Sequence, residues 1–161
     1  RKGFDAILRA VAQVPEAFLW LAGTGQEEAA LRDLADALGI TERIRFLGWL
    51  DEPMHAMAAT DVYLMASRHE PLGNVVLEAW HAGIPVITTR CEGPSWFATD
   101  GEDVLMVDID AVDQMAGALR RLRDDPQLRE TLKEGGRATL NARFTRDSIA
   151  DQYLATFRGE I

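Results

Sequence analysis

The stretch VYLMASRHEPLGNVVLEAWHAGIPVITT, residues 62–89, contains the pattern that decides the fold. An apolar run over 62–66 predicts a β-strand, and an amphipathic pattern over 73–82 predicts a helix. Gly83 ends this helix, and 85–89 reads as a second strand. A helix between two consecutive strands indicates parallel pairing through a right-handed crossover.

The same alternation continues on both sides of this stretch. Further strands are predicted at 18–22, 44–47 and 104–107, and helices at 4–14, 31–38, 51–59 and from 110 nearly to the end, with breaks near Pro126 and Thr145. Five strands separated by helices predict an α/β fold with a Rossmann-like, doubly wound parallel sheet. Without an internal repeat or a long linker, residues 1–161 are expected to form a single domain.

The composition narrows the classes of function. The hydrophobic fraction of 47% and the absence of an apolar run of about 18 residues predict a soluble domain. Seventeen basic against 26 acidic residues give a net charge of -9, which argues against a nucleic-acid partner. The single cysteine, Cys91, excludes an internal disulfide and cannot by itself form a zinc site.

Candidate ligand-binding residues follow the strand at 62–66. In doubly wound folds, ligands bind beyond the carboxyl ends of the strands. Glu78 lies among apolar residues, which predicts a desolvated carboxylate in need of donors, and two ribose hydroxyls match its two oxygens. Gly73 and Asn74 open the helix with backbone N–H groups that suit a diphosphate. The alternative is a solvated Glu78 and a Gly73 that only permits a turn.

The segment Ser67 to Gly73 and the spacing of Glu70 and Glu78 resemble the Glu-x7-Glu signature of retaining glycosyltransferases of GT-B fold, family 4, also called glycosyl transferases group 1. Similar segments follow the family's order nearly throughout the chain: 1–4, 22–25, 45–48, 82–87 and 100–102. The resemblance implies the C-terminal, nucleotide-sugar-binding half of a longer two-domain enzyme, with 1–161 as the donor-binding domain.

The resemblance also implies roles for individual residues. Glu70 approaches the donor sugar as the catalytic residue, and Glu78 holds the ribose. The remaining donor-binding residues are the diphosphate partner Lys2, the helix-start residues Gly73, Asn74 and Val75, and the base-gripping loop of Leu47, Gly48 and Trp49. From their position after a strand, Gly23 and Gly25 are expected to edge the pocket.

The implied function is transfer of a sugar from a UDP-, GDP- or ADP-sugar to an acceptor hydroxyl with retention, in cell-envelope glycan or glycolipid synthesis. No cofactor and no metal are implied. The location is expected to be cytoplasmic, either free or peripheral to the cytoplasmic membrane face. Without the N-terminal acceptor domain, the chain should bind donor weakly and turn over little. The alternatives are a nucleotide-sugar epimerase or hydrolase of GT-B fold and a non-catalytic flavodoxin-like module.

The sequence departs from the family's pattern in two places. The family's first strand, which carries a diphosphate-binding Arg, would precede Arg1. The gap in the sheet is expected to close, to be filled by a neighbour or to reflect the trimming of a longer chain. At 92–96 many members have two glycines and then an acidic residue three positions on, which Trp96 replaces here. Separately, Asp108 and Asp110 have the spacing of a metal-binding pair, but Asp110 or its neighbour is expected to cap the following helix.

Overall fold

Strands and helices alternate along residues 2–159, the part of the chain that the computed structural model describes. The strands are β1 (Leu19–Ala22), β2 (Ile44–Gly48), β3 (Tyr63–Met65), β4 (Val86–Thr89) and β5 (Leu105–Val107). The helices are α1 (Phe4–Ala12), α2 (Glu28–Ala37), α3 (Pro53–Ala58), α4 (Asn74–His81), α5 (Glu92–Phe97), α6 (Val112–Asp124), α7 (Pro126–Arg143) and α8 (Arg146–Arg158). The five predicted strands and the α/β class are therefore confirmed.

All strand pairs are parallel, but the strands form two sheets. One sheet contains β1 and β2, and the other has the order β3, β4, β5. In β4 all four residues are buried, and its side chains alternate between two clusters: Val86 packs with α3 and α4, and Ile87 packs with α1 and α6. Helices thus cover both faces of this strand, as a doubly wound parallel sheet requires.

A groove with a volume of about 760 Å³ lies between β1 and β3, where the family's first strand is expected. Consecutive residues of both neighbouring strands, 18–22 and 61–64, line the groove, so it runs along strand edges. Side chains from the surrounding helices complete its walls: Ile7, Val11, Ala56, Met57, Val75, Glu78, Leu119 and Leu122. The sheet has therefore not closed over this position.

The helix that carries the candidate site, α4, is held by Trp80. This side chain is 2% exposed, and its Nε1 donates a hydrogen bond to the Asp103 carbonyl oxygen at 3.0 Å. Its ring meets Phe97 edge-to-face, with 5.5 Å between centroids. Gly136 of α7 allows this close approach, because a Cβ there would lie 2.3 Å from Trp80 Cδ1. The contacts fix α4 against α5 and α7.

One helix is absent from the sequence-based prediction. Helix α5 spans Glu92–Phe97, although it contains Gly93 and Pro94. Proline is tolerated in the first turn of a helix, since the N–H groups there have no intrahelical acceptor. Between Lys2 and Gly159, none of the helices combines the length and apolar composition that a membrane span requires.

Candidate functional site

The amino end of α4 has the geometry of an anion site. Gly73 is its N-cap residue with a φ of 86°, in the left-handed region, and no side chain caps this end among residues 2–159. The N–H of Val76 already bonds to the Gly73 carbonyl at 2.9 Å, so the amides of Asn74 and Val75 head the helix. The N–H groups and the helix dipole together favour a negative charge here.

Lys2 and Glu70, which the sequence separates by 68 positions, form an ion pair beside this helix end. The Lys2 Nζ lies 2.7 Å from the Glu70 Oε2, with side-chain exposures of 59% and 17%. A Cβ on Gly73 would lie 3.7 Å from the Glu70 Cγ, which places Glu70 next to the helix start. The cation predicted for a diphosphate and the carboxylate predicted for a sugar therefore occupy one site.

The start of α1 explains why Lys2 reaches this position. Gly3 is buried, has a φ of 69°, and a Cβ there would lie only 2.0 Å from the Ala66 carbonyl oxygen at the end of β3. Only glycine allows this approach in a left-handed conformation without strain. The residue before Gly3 is thus placed against the loop that follows β3.

Arg68 ties that loop to two other elements. Its Nη2 lies 2.7 Å from an Asp5 oxygen at the start of α1 and 2.7 Å from an Asp110 oxygen after β5. Hydrogen bonding to Asp5, with a further bond to Asp110, raises the pKa of Arg68, and the same contact lowers the pKa of Asp5. The carboxylate of Asp110 is therefore committed to Arg68. The N-cap residue of α6 is its neighbour Ala111, and Asp113 places an acid in the first turn, as predicted, but no side chain among residues 2–159 caps this helix end.

Glu92 contacts this candidate site and is absent from the sequence-based prediction. At the start of α5, its Oε1 lies 2.9 Å from the His69 Nδ1, and its Oε2 accepts a hydrogen bond from the Glu70 N–H at 3.4 Å. The Gly93 N–H also donates to the Glu70 carbonyl at 2.9 Å. Backbone hydrogen bonding and the His69 contact lower the pKa of Glu92. The available signal was an acidic residue three positions after the end of strand β4, at the same sheet edge as Glu70.

The expected burial of Glu78 is wrong, because its side chain is exposed. Its apolar sequence neighbours Val76, Ala79 and Trp80 are at most 2% exposed and face the core on another side of α4. Glu78 instead shares the groove wall with Val75, three residues earlier and hence on the same side of the helix. Residues adjacent in sequence are not adjacent on a helix surface.

The residues predicted to hold the base lie across the groove from α4. Leu47 lines the groove, and the Gly23 N–H donates to the Gly48 carbonyl oxygen at 2.7 Å, which joins the loops after β1 and β2. Gly25 is exposed, and Trp49 is 75% exposed with its Nε1 3.3 Å from Asp51 Oδ1. These residues form a second group, at the end of β2 and on the loops that follow β1 and β2, whereas the Lys2 and Glu70 pair lies beside the start of α4.

Two further predicted features have other contacts. Trp96 packs edge-to-face on Phe144 and lies 5.2 Å from the Arg143 guanidinium, at the end of α7. Asp108 accepts a hydrogen bond from Gln114. Between Lys2 and Gly159, no three His, Cys, Asp or Glu side chains are grouped as metal ligands.

A parallel α/β fold with an anion-accepting helix start after a strand is typical of nucleotide-binding proteins. Residues 1–139 match the family model described as glycosyl transferases group 1. The chain belongs to this family, as the Glu-x7-Glu resemblance predicted.

The relatives are glycosyltransferases more than twice as long as this chain. It is 49% identical over 154 residues to the lipopolysaccharide core biosynthesis glycosyltransferase LpsE of Rhizobium meliloti, covering 96% of this chain and 45% of LpsE. It is 48% identical over 157 residues to LpsD of the same organism, a protein with the same description, covering 98% and 46%. The chain therefore spans less than half the length of these relatives.

A solved structure that contains a bound nucleotide has the same fold as this chain. HepE of Anabaena in complex with UDP superimposes with a TM-score of 0.91 at 25% identity, covering 98% of this chain and 45% of HepE. The same protein in complex with UDP-glucose gives a TM-score of 0.89. The α/β fold is thus that of one half of a GT-B glycosyltransferase.

Proposed function

We propose that this chain is the donor-binding part of a retaining glycosyltransferase that moves a sugar from a nucleoside diphosphate sugar to an acceptor hydroxyl. The observation that carries the proposal is the Lys2 and Glu70 pair, with 2.7 Å between its charged atoms, beside the uncapped start of α4. One end of one helix thus offers an ammonium and amides for a diphosphate and a carboxylate for sugar hydroxyls.

Leaving-group stabilisation is the chemical role of the cation and the amides. As the glycosidic bond breaks, negative charge grows on the departing nucleoside diphosphate. Lys2 and the amides of Asn74 and Val75 lower the free energy of that charge without a metal ion. Glu70 binds the sugar, and the departing phosphate assists deprotonation of the acceptor on the same face, which retains the configuration at the anomeric carbon.

The substrate class is proposed from the relatives. LpsE and LpsD are described as enzymes of lipopolysaccharide core biosynthesis, and HepE is described with UDP and UDP-glucose. We infer a nucleotide-sugar donor and an acceptor in cell-envelope glycan synthesis. These descriptions favour sugar transfer over an epimerase, a hydrolase or a non-catalytic module. The acceptor is expected to bind outside these 161 residues, so the chain alone should turn over little.

Calorimetric titration with UDP, GDP and ADP tests the donor site. We expect one nucleotide to bind, and Lys2→Ala to weaken its binding about tenfold or more, because hydrogen bonds to charged groups contribute about 1.5–3 kcal/mol. Lys133→Ala is the matched control, since Lys133 also forms an exposed ion pair, with Glu130 at 2.9 Å, but lies on α7. If no nucleotide binds at millimolar concentrations, the donor-binding function is wrong.

Glu78→Ala tests the ribose assignment separately. Because Glu78 is exposed on the groove wall, its hydrogen bonds to ribose replace bonds to water, and we expect a loss of only about fivefold to tenfold. Glu134→Ala, an exposed glutamate on α7, controls for the change in net charge. Equal affinities for Glu78→Ala and the control would reject the ribose role and leave the diphosphate site standing.

A further inference from the structure

Glu92 places a second carboxylate beside Glu70. The two residues follow neighbouring strands, β3 and β4, which pair in parallel, so their loops leave the same edge of the sheet. The two loops touch directly, since the Gly93 N–H donates to the Glu70 carbonyl at 2.9 Å. At Gly93 a Cβ would lie 2.2 Å from the Leu72 carbonyl oxygen, so the start of α5 is pressed against the loop that precedes α4.

The Glu92 carboxylate has a defined direction within this contact. Its Oε1 is 2.9 Å from the His69 Nδ1, and its Oε2 receives the Glu70 N–H at 3.4 Å. One oxygen is thus oriented by a side chain and the other by the backbone of the sugar-site residue itself. A carboxylate held at both oxygens loses little rotamer entropy when a ligand binds to it.

The same carboxylate keeps room for further hydrogen bonds. Two carboxylate oxygens offer about four acceptor positions, and these two contacts occupy two of them in Glu92. The Glu92 side chain is 61% exposed, so its remaining lone pairs face solvent at the site. A hydroxyl of a ligand that lies beside the Glu70 loop can therefore donate to Glu92.

The charge arrangement favours a polyhydroxylated ligand at this position. Two carboxylates alone would repel a diphosphate, but Lys2 pairs with Glu70 and His69 contacts Glu92, so the site holds a cation as well as two acids. A nucleotide sugar is complementary to these groups, because its phosphates are anionic and its sugar ring carries several O–H donors.

We propose that Glu92 is a second sugar-binding residue of this chain, which accepts a hydrogen bond from a hydroxyl of the donor sugar beside Glu70. His69 is its positioning residue. This inference rests on the proposed function, since it requires the nucleotide sugar to lie at the start of α4. It predicts that Glu92 contributes to the affinity for the sugar portion and not to the affinity for the nucleotide.

The test compares binding affinities in the unaltered chain and in Glu92→Ala. The ligands are the tightest-binding nucleotide, its glucose conjugate, and conjugates that lack the 2-, 3-, 4- or 6-hydroxyl of the glucose. With the unaltered chain, the glucose conjugate should bind more tightly than the nucleotide, and loss of one hydroxyl should weaken binding about tenfold. In Glu92→Ala, nucleotide affinity should change less than about twofold, and the penalty for losing that same hydroxyl should disappear, as a pairwise contact requires.

Each result decides between distinct explanations. If nucleotide binding itself collapses in Glu92→Ala, the residue only supports the loop, and the inference is wrong. If all deoxy penalties are the same in Glu92→Ala as in the unaltered chain, Glu92 touches no hydroxyl and the inference is again wrong. Failure of every nucleotide to bind the unaltered chain would instead refute the proposed function. Glu134→Ala should leave every penalty unchanged and serves as the charge-matched control.

Discussion

Gly3→Ala tests the contact that brings Lys2 to the site. Alanine in the left-handed region costs about 1 kcal/mol or more, and the new Cβ would lie 2.0 Å from the Ala66 carbonyl oxygen, well inside van der Waals contact. The start of α1 must then move away from β3. That movement breaks the hydrogen bonds that the Gly3 carbonyl accepts from the Ala6 and Ile7 amides at 3.0 and 3.2 Å.

The two bonds are worth about 1 kcal/mol each, which brings the expected loss in the free energy of unfolding to about 3 kcal/mol. Gly39→Ala is the matched control. Gly39 has a φ of 67°, but nothing lies within 4 Å of the position that a Cβ would take there, so only the conformational cost of about 1 kcal/mol applies. For a domain of this size, Tm should fall by about 6–12 °C in Gly3→Ala and by about 2–4 °C in the control.

Urea unfolding followed by circular dichroism measures both losses. Equal losses for the two variants would refute the close packing of Gly3 on Ala66, and with it the explanation of where Lys2 lies. Because Lys2 adjoins Gly3, the same variant should also weaken nucleotide binding, while the Gly39 control should bind as the unaltered chain does. If Gly3→Ala is destabilised but still binds nucleotide as the unaltered chain does, the position of Lys2 does not depend on the packing of α1.

Three further outcomes are expected. Lys2→Ala should change the free energy of unfolding by less than about 1 kcal/mol, because exposed ion pairs contribute little; a larger loss in urea unfolding would show a structural role. Gly136→Ala should destabilise the fold by about 1–3 kcal/mol, because the new Cβ would lie 2.3 Å from the Trp80 ring. Gly117→Ala, where nothing lies within 4 Å, should stabilise it by about 0.5–1 kcal/mol. A change in Tm of the same sign for both variants would contradict the packing of Gly136 on Trp80. Burial raises the pKa of Asp103, so the folded state keeps this proton to higher pH than the unfolded state. The unaltered chain should therefore lose stability relative to Asp103→Asn as pH rises above about 4, and a pH-independent difference would refute this.

The alternation of strands and helices could be predicted because each element has its own hydrophobic period. Residues 62–89 illustrate this: the strand, the Gly-opened helix and the second strand lie within a residue or two of the predicted bounds. Helix α5 could not be found in this way. Its six residues include Gly93 and Pro94, which read as breakers, and its start is fixed by a tertiary contact with Leu72 rather than by periodicity.

For the candidate site, the sequence indicates residue types but not which residues pair. The helix start at Gly73 follows from local sequence, whereas the contact of Lys2 with Glu70 depends on the packing of α1 against β3. The exposure of Glu78 differs from the prediction because its apolar neighbours along the chain face the core on another side of the helix. Glu92 went unnoticed because its partners, His69 and Glu70, precede it by 23 and 22 positions.

A diphosphate that enters this site competes with Glu70 for the Lys2 ammonium. With Lys2 59% exposed, the ion pair contributes at most about 1 kcal/mol, so a diphosphate can draw the ammonium away at small cost. Glu70, 17% exposed, then loses its cation just as sugar hydroxyls arrive beside it. The carboxylate exchanges one set of donors for another and is never left unpaired. An unpaired carboxylate at this position would cost several kcal/mol. Binding of the phosphates and binding of the sugar should therefore be cooperative at this site.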